Sequence, residues 1–210
     1  MIKILIADDH AVVREGLKQI LSESPTMTVT AEASTGQEVL NMIGKKEIDL
    51  VVLDIAMPGR GGLDILKEIK NQKPKLPVLI LSMYPEDQYA VRVLKAGASG
   101  YLTKESAPDE LIKAIRQITQ GKKYVSPSLA EKLALDLEIS SEKPPHEALS
   151  DREFQVMCLI ASGKTLKEIA EELSLSIKTI STYRTRILEK MNMKSNAELT
   201  HYAIKNRVVD

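Results

Sequence analysis

Leu50-Val51-Val52-Leu53-Asp54-Ile55-Ala56-Met57-Pro58-Gly59 decides how the rest of the chain is read. Its first four residues are apolar and two of them are β-branched, the pattern of a strand buried on both faces of a parallel sheet. Asp54 closes that strand, and a turn rich in proline and glycine (Pro58, Gly59, Gly61, Gly62) follows at once. In open α/β sheets ligands bind at the rim formed by the carboxyl ends of the strands, which is where this carboxylate falls. An aspartate capping a tight turn gives the same local pattern. The neighbouring segments decide between the two.

Working outward, the pattern repeats on both sides. Residues 3–7 (Lys-Ile-Leu-Ile-Ala) read as a buried strand ending in Asp8-Asp9, and residues 28–33 as a second. Residues 78–81 make a fourth strand ending in Ser82, and 100–102 a fifth ending in Thr103-Lys104. Between the strands, apolar residues recur at helical spacing: Val13, Leu17, Ile20 and Leu21, then Val39, Leu40 and Ile43. Further helices are read over 63–70, over 86–96 up to Gly97, and through Leu111, Ile115 and Ile118 up to Gly121. Five strands alternating with five helices predict an α/β domain over residues 1–122, a doubly wound five-stranded parallel sheet with right-handed crossovers.

Residues 123–147 read as a linker, with a short helix over 130–137 and a polar run, 140–145 (Ser-Ser-Glu-Lys-Pro-Pro), stiffened by its paired prolines. Residues 148–210 read as a second, all-α domain of four helices, 151–162, 165–173, 177–192 and 196–205. Ser150…Glu153, Thr165…Glu168 and Ser195…Glu198 each carry the S/T-x-x-E pattern of a capping box. Gly163 closes the first helix. The tight turn Ser174-Leu175-Ser176 joins the second and third into a helix-turn-helix.

Lysine plus arginine balances aspartate plus glutamate at 29 each, so net charge singles out no partner. The single cysteine, Cys158, excludes an internal disulfide and a cysteine zinc cluster and suits a reducing cytoplasm. Histidines at 10, 146 and 201 are too scattered to suggest a histidine metal site. No apolar run approaches the roughly 20 residues of a membrane span, and the N-terminus enters a strand pattern directly, so neither a span nor a signal peptide is expected.

In the predicted sheet Asp8, Asp9, Asp54, Ser82 and Lys104 share one rim. Carboxylates crowded together resist ionising unless a cation offsets them. A hard oxygen site with few protein ligands suits Mg²⁺, held by Asp8, Asp9 and Asp54 with the Ala56 carbonyl as an extra ligand. Lys104 adds a point charge on the other side, and a metal plus a lysine stabilise the equatorial oxygens of a phosphoryl group in transfer. Asp54 is then the natural nucleophile, forming an acyl phosphate. The alternative is a surface acidic cluster neutralised by Lys104.

Asp8-Asp9, Asp54 before Met57-Pro58-Gly59, Ser82 and Lys104 resemble the phosphoacceptor pocket of bacterial response-regulator receiver domains, whose fold is flavodoxin-like. The resemblance implies that Asp54 accepts phosphate from a sensor histidine kinase, that Asp8 and Asp9 bind Mg²⁺, and that Lys104 contacts the phosphate. It implies further that Ser82 is the switch hydroxyl and Tyr101 the switch aromatic, whose ring turns inward as the hydroxyl moves toward the phosphate. A half-buried strand tyrosine is the other reading of Tyr101.

In the second domain, the 177–192 helix sets Lys178, Arg184, Arg186 and Lys190 against one acid, Glu189. Ile180, Ile187, Leu188 and Met191 face inward, and Ser181, Thr182 and Thr185 fall together on the opposite side. In a helix-turn-helix this helix enters the major groove. Lys178, Thr179, Arg184 and Arg186 are expected to hold phosphates while Ser181, Thr182 and Thr185 face base edges. A solvated basic face is the alternative.

The segment resembles the four-helix output domain of NarL/FixJ (LuxR-type) regulators through Leu149-Ser150-Asp151-Arg152-Glu153, Gly163-Lys164-Thr165, Glu168-Ile169-Ala170 and Lys178-Thr179-Ile180. Tyr183 stands where that family usually has histidine and Ser181 where it commonly has lysine, which puts the preferred DNA sequence in question. The family resemblance also implies a DNA-bound dimer through the last helix, for which Leu199, Tyr202 and Ala203 are candidates alongside a core role. Cys158 and Phe154 read as core, and His10 as a residue orienting a loop or helix start.

Together these readings predict a two-domain response regulator, not an enzyme, that is a homodimer when active. A sensor histidine kinase phosphorylates it at Asp54 and so controls its sequence-specific binding to promoter DNA in the cytoplasm. Two other functions fit parts of the sequence: a constitutive DNA-binding protein whose receiver is a phosphate-independent dimerisation platform, and a Mg²⁺-dependent aspartate-nucleophile phosphohydrolase. The latter families usually carry a second acid two residues after the nucleophile, where this chain has Ala56.

Overall fold

The computed structural model describes residues 1–57, 61–127, 129–131, 144–206 and 208–209. Pro58 and Gly59 of the predicted turn, residues 132–137 of the predicted linker helix and residues 140–143 of the polar run lie outside the described residues. The chain divides into two compact units, Met1–Ala130 and Glu131–Asp210.

The first unit runs β1 (Ile2–Ala7), α1 (Ala11–Ser22), β2 (Met27–Ala33), α2 (Gly36–Lys45), β3 (Leu50–Asp54), α3 (Gly62–Gln72), β4 (Val78–Ser82), α4 (Glu86–Lys95), β5 (Gly100–Thr103) and α5 (Ala107–Thr119). The strands pair in parallel in the order β2-β1-β3-β4-β5. This is the doubly wound sheet expected from the alternation of strand and helix patterns. All five residues of β3 and of β4 are buried, because helices cover both faces. On one face Ile4, Ile6, Leu50, Val52, Leu79, Leu81 and Leu102 pack against Leu17 and Leu21 of α1 and Leu111, Ile115 and Ile118 of α5. Strand alternation sends the intervening residues to the other face.

The chain goes from β1 outward to β2 and returns beside β1 as β3, so the strand order reverses between β1 and β3. A crevice opens at the carboxyl ends of strands where the order reverses. Asp8 and Asp9 follow β1 and Asp54 ends β3, on either side of that point.

In the second unit, residues 144–209 carry a 3₁₀ turn (Pro145–Ala148), then α6 (Asp151–Ala161), α7 (Leu166–Glu172), α8 (Ile177–Lys190) and α9 (Asn196–Lys205). Two of the three predicted capping boxes form completely. Ser150 and Glu153 exchange bonds of 3.4 and 2.7 Å at the start of α6, and Thr165 and Glu168 bonds of 3.3 and 2.7 Å at the start of α7. The third is half-built. Ser195 Oγ accepts from the Glu198 amide at 3.2 Å, but Glu198 Oε2 takes the amide of Lys194 at 2.9 Å, one residue before the cap. The turn between α7 and α8 carries Ser174 at φ +52°, a left-handed backbone that lets the Leu175 amide reach back to the Ala170 carbonyl at 2.8 Å. Among the described residues, no helix is long and apolar enough to cross a membrane.

Glu153 does more than cap α6. It is 3% exposed, and Lys190 at the end of α8 reaches its Oε2 at 2.6 Å. Burial alone would raise this carboxyl; the Lys190 ammonium and the Ser150 donors override it and hold Glu153 below the usual carboxylate range. A carboxyl depressed on folding lends stability above its unfolded value and loses it as pH falls through its folded value. Glu153→Gln, which keeps the cap and removes the charge, should therefore cost about 1.5 kcal/mol at neutral pH, the lower end for a charged bond because Lys190 is half-exposed. The difference should close in acid, and urea unfolding at pH 7 and pH 3 checks it.

Candidate phosphoacceptor pocket and nucleic-acid interface

Each side chain of the rim is placed by its strand end. Asp54 is the last residue of β3, Ser82 the last of β4, and Lys104 follows β5. Asp54 pairs across the sheet with Leu81, and Ser82 with Thr103, which aligns the strand ends. Asp8 and Asp54 are each 1% exposed, and Lys104 Nζ lies 2.7 Å from Asp54 Oδ2 and 2.7 Å from Asp8 Oδ2. Asp54 Oδ1 accepts the Ala56 amide at 2.9 Å. Burial raises Asp54 above the ordinary aspartate value, and the Lys104 ammonium and the Ala56 amide oppose that without cancelling it. Burial also acts to lower Lys104, but the two carboxylates outweigh it and hold the ammonium firmly protonated.

The turn after β3 is fixed by a close approach. A Cβ at Gly62 would stand 2.5 Å from Ile55 Cα, 2.8 Å from Ile55 O and 2.9 Å from Asp54 O. Glycine lets the start of α3 lie directly on the backbone that carries Asp54, with the Gly62 amide donating to Ile55 O at 3.2 Å.

Carboxylate oxygens of Asp8, Asp9 and Asp54 and a nitrogen of His10 lie within 4.8 Å of one another. Asp8 Oδ2 and Asp9 Oδ1 are screened from solvent yet accept no well-aligned hydrogen bond among the described residues. Their near neighbours are the Lys104 ammonium, 2.7 Å from Asp8 Oδ2, and the His10 ring, 3.1 Å from Asp9 Oδ1. Buried oxygens left with spare acceptor capacity suit a small hard cation such as Mg²⁺, whereas the imidazole does not. The residues present therefore fit that ion.

Ser82 is fully buried, and its Oγ accepts the Tyr84 amide at 3.1 Å. Tyr101 is 1% exposed, and its hydroxyl donates to the Tyr84 carbonyl at 2.7 Å. The ring is therefore turned inward, and Tyr84 is gripped on both sides of its backbone. Burial pushes the Tyr101 phenol well above its ordinary value, with contact to Ser82 opposing and the Glu86 carboxylate adding to the rise.

Arg14 was not singled out from the sequence, whereas His10, read there as orienting a loop or helix start, stands at the N-cap of α1. Arg14 donates to the Asp8 backbone carbonyl at 2.8 Å, and the His10 amide donates to Asp8 Oδ1 at 2.8 Å. Arg14 reads in sequence as one more cation on an amphipathic helix; the His10 amide follows from its place just before α1.

On α8, Lys178, Ser181, Thr182, Thr185 and Arg186 are exposed and Thr179 is half-exposed, while Ile180 and Ile187 are fully buried. Thr182 and Thr185 donate their hydroxyls to Lys178 O and Ser181 O at 3.0 and 3.1 Å, which leaves acceptor lone pairs outward. Arg184 is half-buried, and its Nε donates to Asn196 Oδ1 at 2.6 Å, tying α8 to α9. Leu199 and Ala203 are fully buried within this unit, so of the three candidates for a dimer face on the last helix they belong to the core. Tyr202 is half-buried and meets His146 Nδ1 at 2.8 Å.

Comparison with known proteins gives two family matches. The "Response regulator receiver domain" matches residues 4–116 and "Bacterial regulatory proteins, luxR family" matches residues 147–203. The chain is 37% identical over 207 residues to the response regulator UvrY of Escherichia coli (strain K12), covering 98% of this chain and 95% of that protein. It is 39% identical over 216 residues to the oxygen regulatory protein NreC of Staphylococcus epidermidis, covering 99% of each. Among solved structures it resembles RcsB from Salmonella enterica serovar Typhimurium, bound to promoter rprA in the presence of phosphomimetic BeF3⁻. That likeness has a TM-score of 0.65 at 28% identity, over 96% of this chain and 98% of that one.

Proposed function

Because the chain belongs to the response regulators that join a receiver domain to a LuxR-type DNA-binding domain, we propose that phosphorylation of Asp54 by a sensor histidine kinase controls its binding to promoter DNA. The observation that carries this is Lys104 Nζ at 2.7 Å from both Asp54 and Asp8 in the crevice between β1 and β3. In the transfer, an Asp54 oxygen attacks phosphorus, the new O–P bond forms as the donor's N–P bond breaks, and the departing histidine keeps the electron pair. Lys104 supplies a fixed positive charge to the phosphoryl oxygens, and the buried rim keeps bulk water from them. Asp8, Asp9, Asp54 and the Ala56 carbonyl would hold Mg²⁺, which when bound offsets the crowded negative charge.

A phosphoryl group on Asp54 offers Ser82 a stronger acceptor than the Tyr84 amide offers it a donor. Ser82 then turns toward the phosphate and releases Tyr84, with Tyr101 as the aromatic partner of the switch. In the output domain, α8 enters the major groove, as the second helix of a helix-turn-helix does, and the similar RcsB is a protein solved bound to a promoter. Ser181, Thr182 and Thr185 face base edges. The outward lone pairs of the two threonines suit the exocyclic amino groups of adenine and cytosine. Lys178, Thr179, Arg186 and the terminal guanidinium nitrogens of Arg184 hold phosphates. The active form is a homodimer, and the protein works in the cytoplasm beside its DNA.

Two measurements test this reading. On a duplex selected from a random-sequence pool, acetyl phosphate with Mg²⁺ should tighten wild-type binding about tenfold, a usual size for such coupling. Asp54→Asn should not respond. Equal affinity for both proteins, with and without the donor, would favour constitutive binding instead. Arg186→Ala should weaken binding similarly on all duplexes and reduce the slope of log affinity against log salt by about 0.9. An unchanged slope removes Arg186 from the phosphate contacts.

A further inference from the structure

The first unit does not stop at α5. Beyond it the Tyr124 amide donates to Ser99 O at 2.9 Å, and Tyr124 forms a parallel bridge with Gly100 at the start of β5. A Cβ at Gly100 would lie 2.8 Å from the Tyr124 carbonyl, so the two backbones are in direct contact. Tyr124 is 7% exposed, and its phenol is pushed up to about 12 by burial, with Glu110 and Glu86 adding to the rise. Two residues on, Ser126 Oγ donates to Glu86 Oε2 at 2.5 Å while accepting the Leu129 amide at 3.1 Å, and Leu129 is 2% exposed. The start of the segment joining the two units is thus fastened to the first residue of α4.

Glu86 lies only two residues past Tyr84, the residue held by Ser82 on its amide and by Tyr101 on its carbonyl. Its carboxylate acts on both Tyr101 and Tyr124. One carboxylate therefore stands two residues from the switch loop's Tyr84, close enough to influence the switch aromatic, and in direct contact with the inter-domain segment at Ser126.

We infer that Glu86 is the positioning residue that carries the state of the phosphoacceptor loop to the inter-domain segment, by holding Ser126 while Ser82 holds Tyr84 and letting it go when Ser82 turns away. The inference rests on the Asp54 reading and extends it. The charge-assisted bond from Ser126 sets the angle at which the segment leaves the receiver, and the short loop from Tyr84 to Glu86 leaves little slack to absorb a shift. Release of Tyr84 moves Glu86 and loosens Tyr124, Ser126 and Leu129 from the β5–α4 edge.

Hydrogen exchange on the full-length protein, with and without beryllium fluoride and Mg²⁺, tests this. In the wild type, the phosphoryl mimic should speed exchange of the amides of Tyr124, Val125, Ser126, Leu129 and Ala130 about tenfold, the loss of one charge-assisted bond. In Glu86→Ala and in Ser126→Ala the same amides should exchange fast from the start and no longer respond, while those of residues 82–84 still do. Glu86→Gln keeps an acceptor for Ser126 and should restore part of the response, with the protection of β1 and β3 reporting that each variant is folded. Should those amides between Tyr124 and Ala130 stay protected in the wild type while 82–84 respond, Glu86 is only a structural contact and the coupling is wrong. Should neither region respond, the Asp54 reading fails, and the coupling with it.

Discussion

Lys104→Met is expected to cost the first unit about 3 kcal/mol at neutral pH, because it leaves two buried carboxylates without their counter-charge. Asp8 and Asp54 are each 1% exposed and share one ammonium at 2.7 Å. Methionine fills much of the same volume, so the loss reports charge and not a cavity. Burial already raises Asp54, and without Lys104 it rises further. A carboxyl raised on folding stabilises while it is protonated, and that stability is lost as pH rises through its folded value. The cost of the variant should therefore shrink toward pH 5 and grow toward pH 8. Mg²⁺ should recover part of it, since a cation bound by the folded state alone stabilises that state. Urea unfolding at both pH values, with and without Mg²⁺, reads all three effects. A loss below about 1 kcal/mol that ignores pH and Mg²⁺ would mean the carboxylates do not depend on this lysine.

Gly62→Ala should be nearly as severe and act through geometry alone. The added carbon would fall 2.5 Å from Ile55 Cα and within 3 Å of the carbonyls of Asp54 and Ile55, all backbone atoms that have no rotamer to escape into. Relief requires α3 to lift from the end of β3, at about 3 kcal/mol, the upper range for overpacking. Because the displaced backbone is that of the proposed nucleophile, phosphorylation should slow more than stability falls. Gly44→Ala is the control, since nothing lies within 4 Å of a Cβ there. It should be stabilising or neutral by comparison, as alanine is the better helix former. If Gly62→Ala folds with wild-type stability and is phosphorylated at the wild-type rate, the close approach has no consequence for the site.

Much of this was legible in the sequence because the signals are local and the topology does the assembling. A buried strand announces itself by its apolar run, and a parallel sheet brings every carboxyl end to one edge. Asp8, Asp54, Ser82 and Lys104 could therefore be grouped before any contact was known. Helix starts at Ser150 and Thr165 were legible for the same reason, their capping bonds spanning only three residues. What escaped depends on direction and distance. Glu198 carries the capping pattern, yet its carboxylate turns to Lys194, a rotamer choice that no spacing encodes. Arg14 supports Asp8 only because α1 happens to aim it there, and the reach from Ser126 to Glu86 spans forty residues. The division of α9 into core and surface likewise depended on packing: Leu199 and Ala203 are fully buried within their unit.

The most direct test of the central claim is intact mass after incubation with acetyl phosphate and Mg²⁺. The account predicts an addition of roughly 80 Da, one phosphoryl group, on the wild type, none on Asp54→Asn, and none on the wild type when Mg²⁺ is chelated. A wild type that gains no mass, or an Asp54→Asn variant that gains the same mass as the wild type, would contradict it.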